Sequence, residues 1–111
     1  NPVQYAAIAA LNGPQDCVAD ACRIYQERRD VLVSGLTKLG FDVTMPKATF
    51  YVWMGVPDSI SFAARMLDET GIVVTPGVGF GKSGEGYVRF AITRSADRIR
   101  EAVERMEEVS W

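Results

Sequence analysis

The chain has 111 residues, a formal net charge of −2 and no histidine. This length is enough for one domain that buries roughly two thirds of the surface exposed by its unfolded chain. The 12 basic and 14 acidic residues are mixed along the chain, so no basic patch indicates binding to nucleic acid or to an anionic membrane. Without histidine the chain lacks the commonest general base and transition-metal ligand, and we expect neither a stand-alone hydrolase nor a metalloenzyme.

The two ends of the chain suggest a cytoplasmic protein of which this is a part. No stretch approaches the roughly 20 apolar residues of a membrane-spanning helix, and the first residues lack the pattern of a signal peptide. The chain begins at Asn1 without an initiator methionine and ends at Trp111 without an evident linker. We therefore expect it to be a piece of a longer protein.

Two helices are predicted in the first 39 residues. Pro2 suits the first turn of a helix that continues through residues 3–11. Asp16 is expected to cap a second helix, which ends at a left-handed Gly40. The apolar positions of this second helix follow a 3-4 spacing and are Val18, Cys22, Tyr25, Leu32, Leu36 and Leu39. Its length, about 35 Å at 1.5 Å per residue, exceeds what a core this small needs.

Three other residues of the second helix carry expectations of their own. Cys17 and Cys22 are five residues apart and thus on different faces, which predicts two ordinary buried thiols and neither a disulfide nor a metal site. Arg29 occupies a position where the 3-4 spacing of the second helix would place an apolar residue. Its guanidinium has three possible partners: a carboxylate on a neighbouring element, the polar groups of a second domain, or water reached by a snorkelling side chain.

Residues 40–111 are predicted to form an α/β (α+β) two-layer sandwich with a small, mostly antiparallel sheet. Strands are expected at residues 41–45, 49–56, 72–74 and 86–92. Helices are expected from Asp58 or Ser59 to a stop at Gly71, and again from a cap at Ser95, with Glu101 and Arg105 paired. In strand 49–56, Phe50, Val52 and Met54 alternate with Tyr51 and Trp53, so both faces of that strand need cover.

Arg89 is the residue that most needs a functional explanation. It lies in the middle of strand 86–92, which is otherwise apolar and aromatic. A guanidinium buried on a strand has to satisfy five N–H donors in a fixed fork, and a planar carboxylate held through two hydrogen bonds is the natural partner. We therefore expect Arg89 to hold a ligand.

Five glycines precede this strand, in residues 77–86. Lys82-Ser83 suggests a phosphate loop, but the Walker pattern requires a glycine where Pro76 stands, and the loop leads into a strand instead of a helix. A flexible, hairpin-like connection would account for the glycines. Phe80, an apolar side chain between glycines, favours a loop that packs against a pocket wall, a ligand or a partner.

Three ordered motifs resemble the C-terminal small domain of class I/II aminotransferases, the pyridoxal-phosphate enzymes of fold type I. The motifs are PKATFYVW at residues 46–53, GIVVTPG at 71–77 followed by Phe80-Gly81, and GEGYVR at 84–89. The resemblance covers essentially the whole chain, and residues 25–30 are similar to the family's long interdomain helix. Within the family, the first motif is most similar to LL-diaminopimelate aminotransferases.

The resemblance implies that residues 1–39 are interdomain helices and 40–111 the α/β core of the small domain. It implies a homodimeric enzyme that transfers an amino group between an amino acid and a 2-oxo acid with pyridoxal phosphate. Arg89 matches the arginine that binds the substrate α-carboxylate, while Tyr51, Gly79 and Phe80 match positions bordering the substrate, with roles in shape and closure.

The resemblance also implies that the Schiff-base lysine and most cofactor ligands belong to a large domain outside this chain. Lys38, Lys47 and Lys82 do not substitute, because none is expected in the dry pocket that lowers a lysine pKa. The isolated chain is therefore expected to be inactive. The alternative is a non-catalytic module that binds an amino acid or a partner through the Arg89 pocket; the visible absorbance of the cofactor would be missing from such a protein.

Overall fold

Four α-helices and a three-stranded antiparallel sheet make up the chain, which a computed structural model describes from residue 1 to residue 111. The helices are α1 (Pro2–Asn12), α2 (Asp16–Lys38), α3 (Ser59–Thr70) and α4 (Ala96–Glu107). The strands are β1 (Tyr51–Gly55), β2 (Thr75–Pro76) and β3 (Tyr87–Ala91), in the order β1-β3-β2. Short 3-10 turns at Gly77–Phe80 and Lys82–Gly84 connect β2 to β3. The predicted α+β fold is confirmed.

One face of the sheet is buried in the core. Val52 and Met54 of β1 and Val88 of β3 are completely buried and belong to one cluster of 14 apolar residues, which includes Leu36 of α2 and Met106 of α4. Complete burial of each such side chain stabilises the fold by about 1.5–3 kcal/mol. Because side chains alternate along a strand, the residues between them lie on the opposite face.

The end of α2 follows the predicted left-handed pattern. Gly40 has φ +88°. Its N–H donates to the carbonyl of Thr37 at 3.0 Å, and the N–H of Phe41 donates to that of Leu36 at 3.1 Å. This pair of bonds is the Schellman arrangement, which satisfies carbonyls that the helix leaves free. Gly71, with φ +72°, ends α3 as predicted.

The starts of α3 and α4 are capped by the predicted residues. Asp58 accepts a hydrogen bond from the N–H of Ser61 at 2.7 Å, and this bond lowers the pKa of Asp58 below its usual 3.8. Ser95 accepts from the N–H of Arg98 at 3.4 Å. Each cap satisfies a donor that the first turn of the helix would otherwise leave unpaired.

The prediction that Asp16 caps α2 is wrong. Asp16 is the first helical residue, and Gln15 occupies the N-cap position without a side-chain capping bond. The Gln15 amide donates instead to the carbonyl of Ala10, near the end of α1, at 3.0 Å. This bond satisfies a carbonyl at the end of α1 and leaves the first turn of α2 without a side-chain cap.

The first half of α2 extends beyond the core. Its buried residues are confined to Leu32, Val33 and Leu36. Cys17 and Cys22 are exposed, so the prediction of two buried thiols is wrong for this chain, because no other element covers that part of the helix. Arg29 is met by a carboxylate of its own helix, since its Nε donates to Asp30 at 2.9 Å.

Two of the predicted strands are wrong or misplaced. Residues 41–45 form a single bridge, between Val43 and Met54, because the turn at Gly40 and the missing N–H of Pro46 leave little chain to pair. Residues 72–74 are unpaired, and β2 comprises Thr75–Pro76. Strand propensity alone does not make a strand when no neighbouring strand follows its course.

The strand predicted from residue 49 begins at Tyr51. Thr49 has a left-handed φ of +68°, which turns the chain before the strand starts. Phe50 therefore does not share the buried face of Val52 as predicted. Its ring packs against those of Tyr51 and Tyr25, with centroids 4.6 and 5.7 Å away.

None of the helices combines the length and the apolar composition needed to cross a bilayer.

Candidate functional site

Arg89 lies at the centre of the sheet, on the face opposite the core. In the antiparallel register it pairs with Trp53 of β1 and with Thr75 of β2. Its neighbours along β3, Val88 and Phe90, point into the core. The strand alternation predicted from the sequence thus places Arg89 on the same face as Trp53.

The guanidinium of Arg89 contacts two aromatic rings. Its Cζ lies 3.9 Å from the centroid of the Tyr51 ring and 4.3 Å from that of Phe80. A cation over an aromatic face is stabilised by about 0.5–2 kcal/mol, depending on how well water is excluded. A ring on the flat face of a guanidinium leaves its N–H groups free to bind an acceptor, because those groups point outward within the guanidinium plane.

The N–H groups of Arg89 are not satisfied by the chain. Its Nε is buried and has no hydrogen-bond partner. The seven ion pairs of the chain all involve other arginines. A buried donor without a partner costs about 1–3 kcal/mol, so its presence indicates an acceptor from outside the chain. A planar carboxylate matches the fork of a half-buried guanidinium.

Two aromatic residues that we did not predict as site residues complete this face. Trp53 contacts Phe80 edge to face at 5.7 Å between centroids, and its ring centroid lies 6.4 Å from that of Tyr87. Trp53, Phe80 and Tyr87, together with Ser83 and Gly84, line an open cavity of about 400 Å³. The alternation in β1 was the signal for Trp53, because it placed Trp53 on the face of Tyr51.

The glycine-rich segment that carries Phe80 is tightly folded. A Cβ on Gly77 would lie 1.9 Å from the carbonyl oxygen of Gly84, and a Cβ on Gly84 would lie 2.0 Å from that of Gly77. Only glycine permits so close an approach of two backbones. At Gly79, in contrast, a Cβ would meet nothing within 4 Å. Its glycine has no steric explanation inside the chain, and its place beside a substrate stays a prediction.

The lysines give no sign of a cofactor site within the chain. Lys38, Lys47 and Lys82 are all exposed, so none lies in the dry pocket that imine chemistry needs. The residues of this chain therefore do not fit the principal binding site for pyridoxal phosphate.

A larger cavity, of about 510 Å³, lies elsewhere, between α4, residues 71–73 and the end of β3. Two of the arginines that line it, Arg98 and Arg105, donate to Glu101. The hydrogen bond from Arg105 is the main cause of a pKa of Glu101 below its usual value. The chain has no buried, unpaired side-chain donor other than the Nε of Arg89, so this cavity has no counterpart to it.

Comparison with known proteins finds similarity to aminotransferases. Residues 1–106 match the family model of aminotransferase class I and II. The chain is 53% identical over 110 residues to the LL-diaminopimelate aminotransferase of Moorella thermoacetica, a match that covers 96% of this chain and 28% of that protein. It is 49% identical over 108 residues to the glutamate-pyruvate aminotransferase AlaC of Escherichia coli, covering 92% of this chain and 26% of AlaC.

A solved structure has the same fold. The aromatic aminotransferase of Pyrococcus horikoshii superposes with a TM-score of 0.90 at 35% identity, over 96% of this chain and 30% of that one. The chain therefore spans less than a third of the length of the relatives it matches.

Proposed function

Because this chain belongs to the class I and II aminotransferases, we propose that it is the C-terminal small domain of such an enzyme and that Arg89 binds the α-carboxylate of the amino-acid substrate. The observation that carries the proposal is the buried, unpaired Nε of Arg89. A substrate carboxylate would supply the missing acceptor and, through a second hydrogen bond to the same fork, a fixed orientation.

The contribution of this domain would be orientation and closure. A two-point grip on the carboxylate fixes the direction of the bonds at the substrate Cα, and positioning of this kind supplies several kcal/mol of a reaction barrier. Tyr51 and Phe80, in contact with the guanidinium, would keep water away from it and strengthen its interaction with the carboxylate. Gly79 would let the loop approach the substrate closely.

We propose that pyridoxal phosphate is bound mainly by a large domain outside this chain and that the full-length enzyme is a homodimer. The three exposed lysines support this assignment, since none of them is placed to form an imine. Orientation of the substrate would then depend on this domain, and the cofactor chemistry on the other. The isolated chain would be inactive.

We further propose LL-diaminopimelate as the amino donor. The 53% identity to the Moorella thermoacetica enzyme supports it, while the 49% identity to AlaC makes glutamate and alanine the competitors to compare. Values of kcat/KM for these three donors, measured on the full-length protein, decide among them.

The experiment that tests the function is amino-group transfer by a full-length protein carrying this chain. The purified protein should show the visible absorbance of bound pyridoxal phosphate, and that spectrum should change on addition of an amino acid and return on addition of a 2-oxo acid. A protein that binds amino acids without this absorbance and without transfer would be a binding module, and the proposal would fail.

A further inference from the structure

Glu85 joins the glycine-rich segment to the start of α3. Its Oε1 accepts from the N–H of Ser59 at 2.9 Å and its Oε2 from the hydroxyl of Ser59 at 2.7 Å. Ser59 is completely buried, whereas Glu85 reaches it from the surface. The bond from the Ser59 N–H, then that from its hydroxyl and that from the Gly86 N–H, lower the pKa of Glu85 below its usual 4.5. The carboxylate is therefore charged at neutral pH.

This contact is more than a helix cap. Asp58 already occupies the N-cap position of α3 and accepts from the N–H of Ser61. Glu85 is 26 residues from Ser59 in sequence, and its negative charge is favoured beside the positive end of the helix. The pair of bonds therefore connects two parts of the chain that the helix itself does not require to meet.

The same segment carries Phe80. Gly84, which directly precedes Glu85, is in close backbone contact with Gly77, and Gly77 begins the 3-10 turn that ends at Phe80. Phe80 is itself 53% exposed, so few contacts of its own side chain fix its position. A shift of Glu85 would therefore be passed through the two glycines to the ring that lies over Arg89.

We propose that Glu85 is a positioning residue for the Arg89 site: its carboxylate anchors segment 77–86 to the start of α3 and so holds Phe80 against the guanidinium. This inference rests on the proposed role of Arg89 in carboxylate binding. Glu85 itself acts through Phe80 and touches neither substrate nor cofactor.

The chain offers graded variants of this contact. Glu85→Ala removes both bonds. Glu85→Gln keeps the shape, because its amide oxygen can accept from the Ser59 N–H while its NH₂ donates to the hydroxyl. Ser59→Ala removes only the hydroxyl bond. Glu104→Ala is the control, since Glu104 is an exposed glutamate of α4 that takes part in none of the ion pairs.

The measurement is the rate at which the full-length enzyme takes up the amino group from a donor. It is made with an amino acid and with the matching primary amine that lacks the α-carboxylate. The ratio of the two rates reports the use of the carboxylate, and a loss of folded protein lowers both rates equally. Because Glu85 acts through Phe80, its loss should cost no more than the loss of the contact between Phe80 and Arg89, and for Glu85→Ala we expect the ratio to fall about two- to fivefold. Glu85→Gln should lower the ratio less than Glu85→Ala does, and Glu104→Ala should not change it.

An unchanged ratio in Glu85→Ala would overturn the inference. Should Glu85→Ala not fold, Ser59→Ala decides, with a smaller fall in the same direction expected and no fall contradicting the proposal. Arg89→Lys separates the proposed role of Arg89 in carboxylate binding from the proposed role of Glu85 in positioning. If its ratio falls while that of Glu85→Ala does not, only the role of Glu85 is wrong; if neither falls, the proposed function of Arg89 is wrong as well.

Discussion

Trp53 and Arg89 are direct cross-strand partners, and Phe80 contacts both. The Phe80 ring centroid lies 5.7 Å from that of Trp53 and 4.3 Å from Cζ of Arg89. Tyr51 of β1 also contacts the guanidinium, which is therefore held by aromatic rings from two different elements, a strand and a 3-10 turn. Its environment depends on how that turn is placed.

Replacement of Phe80 should therefore affect substrate use more than stability. In Phe80→Ala the guanidinium loses one ring contact, worth about 0.5–1 kcal/mol at an exposed site, and we expect kcat/KM for the amino acid to fall about two- to fivefold. Because Phe80 is 53% exposed, the Tm should hardly change. Tyr87→Ala is the comparison, because Tyr87 is an exposed aromatic residue of the same face whose ring is not among those over the guanidinium. Equal losses in both variants would contradict a specific role of Phe80.

The two glycines in contact predict a stability effect with an internal control. Gly77→Ala places a Cβ 1.9 Å from the carbonyl oxygen of Gly84, and forced overpacking of this kind costs about 1–3 kcal/mol. Gly79→Ala meets no atom within 4 Å and should leave the free energy of unfolding unchanged or slightly raised. Urea unfolding of both variants gives the comparison. Similar free energies of unfolding for the two variants would contradict the close backbone approach of Gly77 and Gly84.

The Glu85 contact should also appear in the pH dependence of stability. The pKa of Glu85 is lower in the folded protein than its usual 4.5 because of its bonds from Ser59 and Gly86. Its contribution is therefore present in full above the unfolded-state pKa and is lost as the pH falls through the folded-state pKa.

Urea unfolding of the wild type and of Glu85→Gln from pH 7 downwards tests this dependence. The stability difference between them should be constant near neutral pH and shrink below about pH 4.5. Glu104→Gln, which removes an exposed carboxyl without such bonds, should show no comparable change. A difference for Glu85→Gln that grew as the pH fell would have the wrong sign for this account.

The surface of α1 predicts how the isolated chain behaves. α1 has no buried residue, and Val3, Tyr5 and Leu11 are 74%, 73% and 80% exposed. An apolar surface of this kind is typical of an interface with another domain. We expect the 111-residue chain to self-associate at high concentration and to bind a hydrophobic dye, and Leu11→Ser with Val3→Ser to reduce both. Sedimentation showing only monomers, with no dye binding, would contradict an interdomain role.

Local signals in the sequence predicted most helix ends, although not the start of α2, and were insufficient for strands. The ends at Gly40 and Gly71 and the caps at Asp58 and Ser95 depend on residues within one turn, so they could be predicted. Residues 72–74 have strong strand propensity but no partner strand, and pairing of that kind is decided by distant parts of the chain. The burial of Cys17 and Cys22 failed similarly, because a helical stripe does not show what covers it.

The site was partly predictable for the same reason. A charged residue in an apolar strand indicated Arg89, and the alternation of β1 placed Tyr51 and Trp53 together on one face. Contact of Phe80 with Arg89 depends on the fold of the intervening turns, although its position between glycines suggested a packing role. The bonds between Glu85 and Ser59 join residues 26 apart, and no local pattern predicts them.

Arg89→Lys in the full-length enzyme tests the central claim most directly. A lysine keeps the charge but cannot make the two-point grip on a carboxylate. We expect kcat/KM for the best amino-acid substrate to fall more than about tenfold, equivalent to about 1.4 kcal/mol of transition-state stabilisation. The Tm should be nearly unchanged, and Arg94→Lys, at an exposed arginine outside the site, should retain activity. A kcat/KM for Arg89→Lys within about twofold of the wild type would show that Arg89 does not bind the substrate carboxylate.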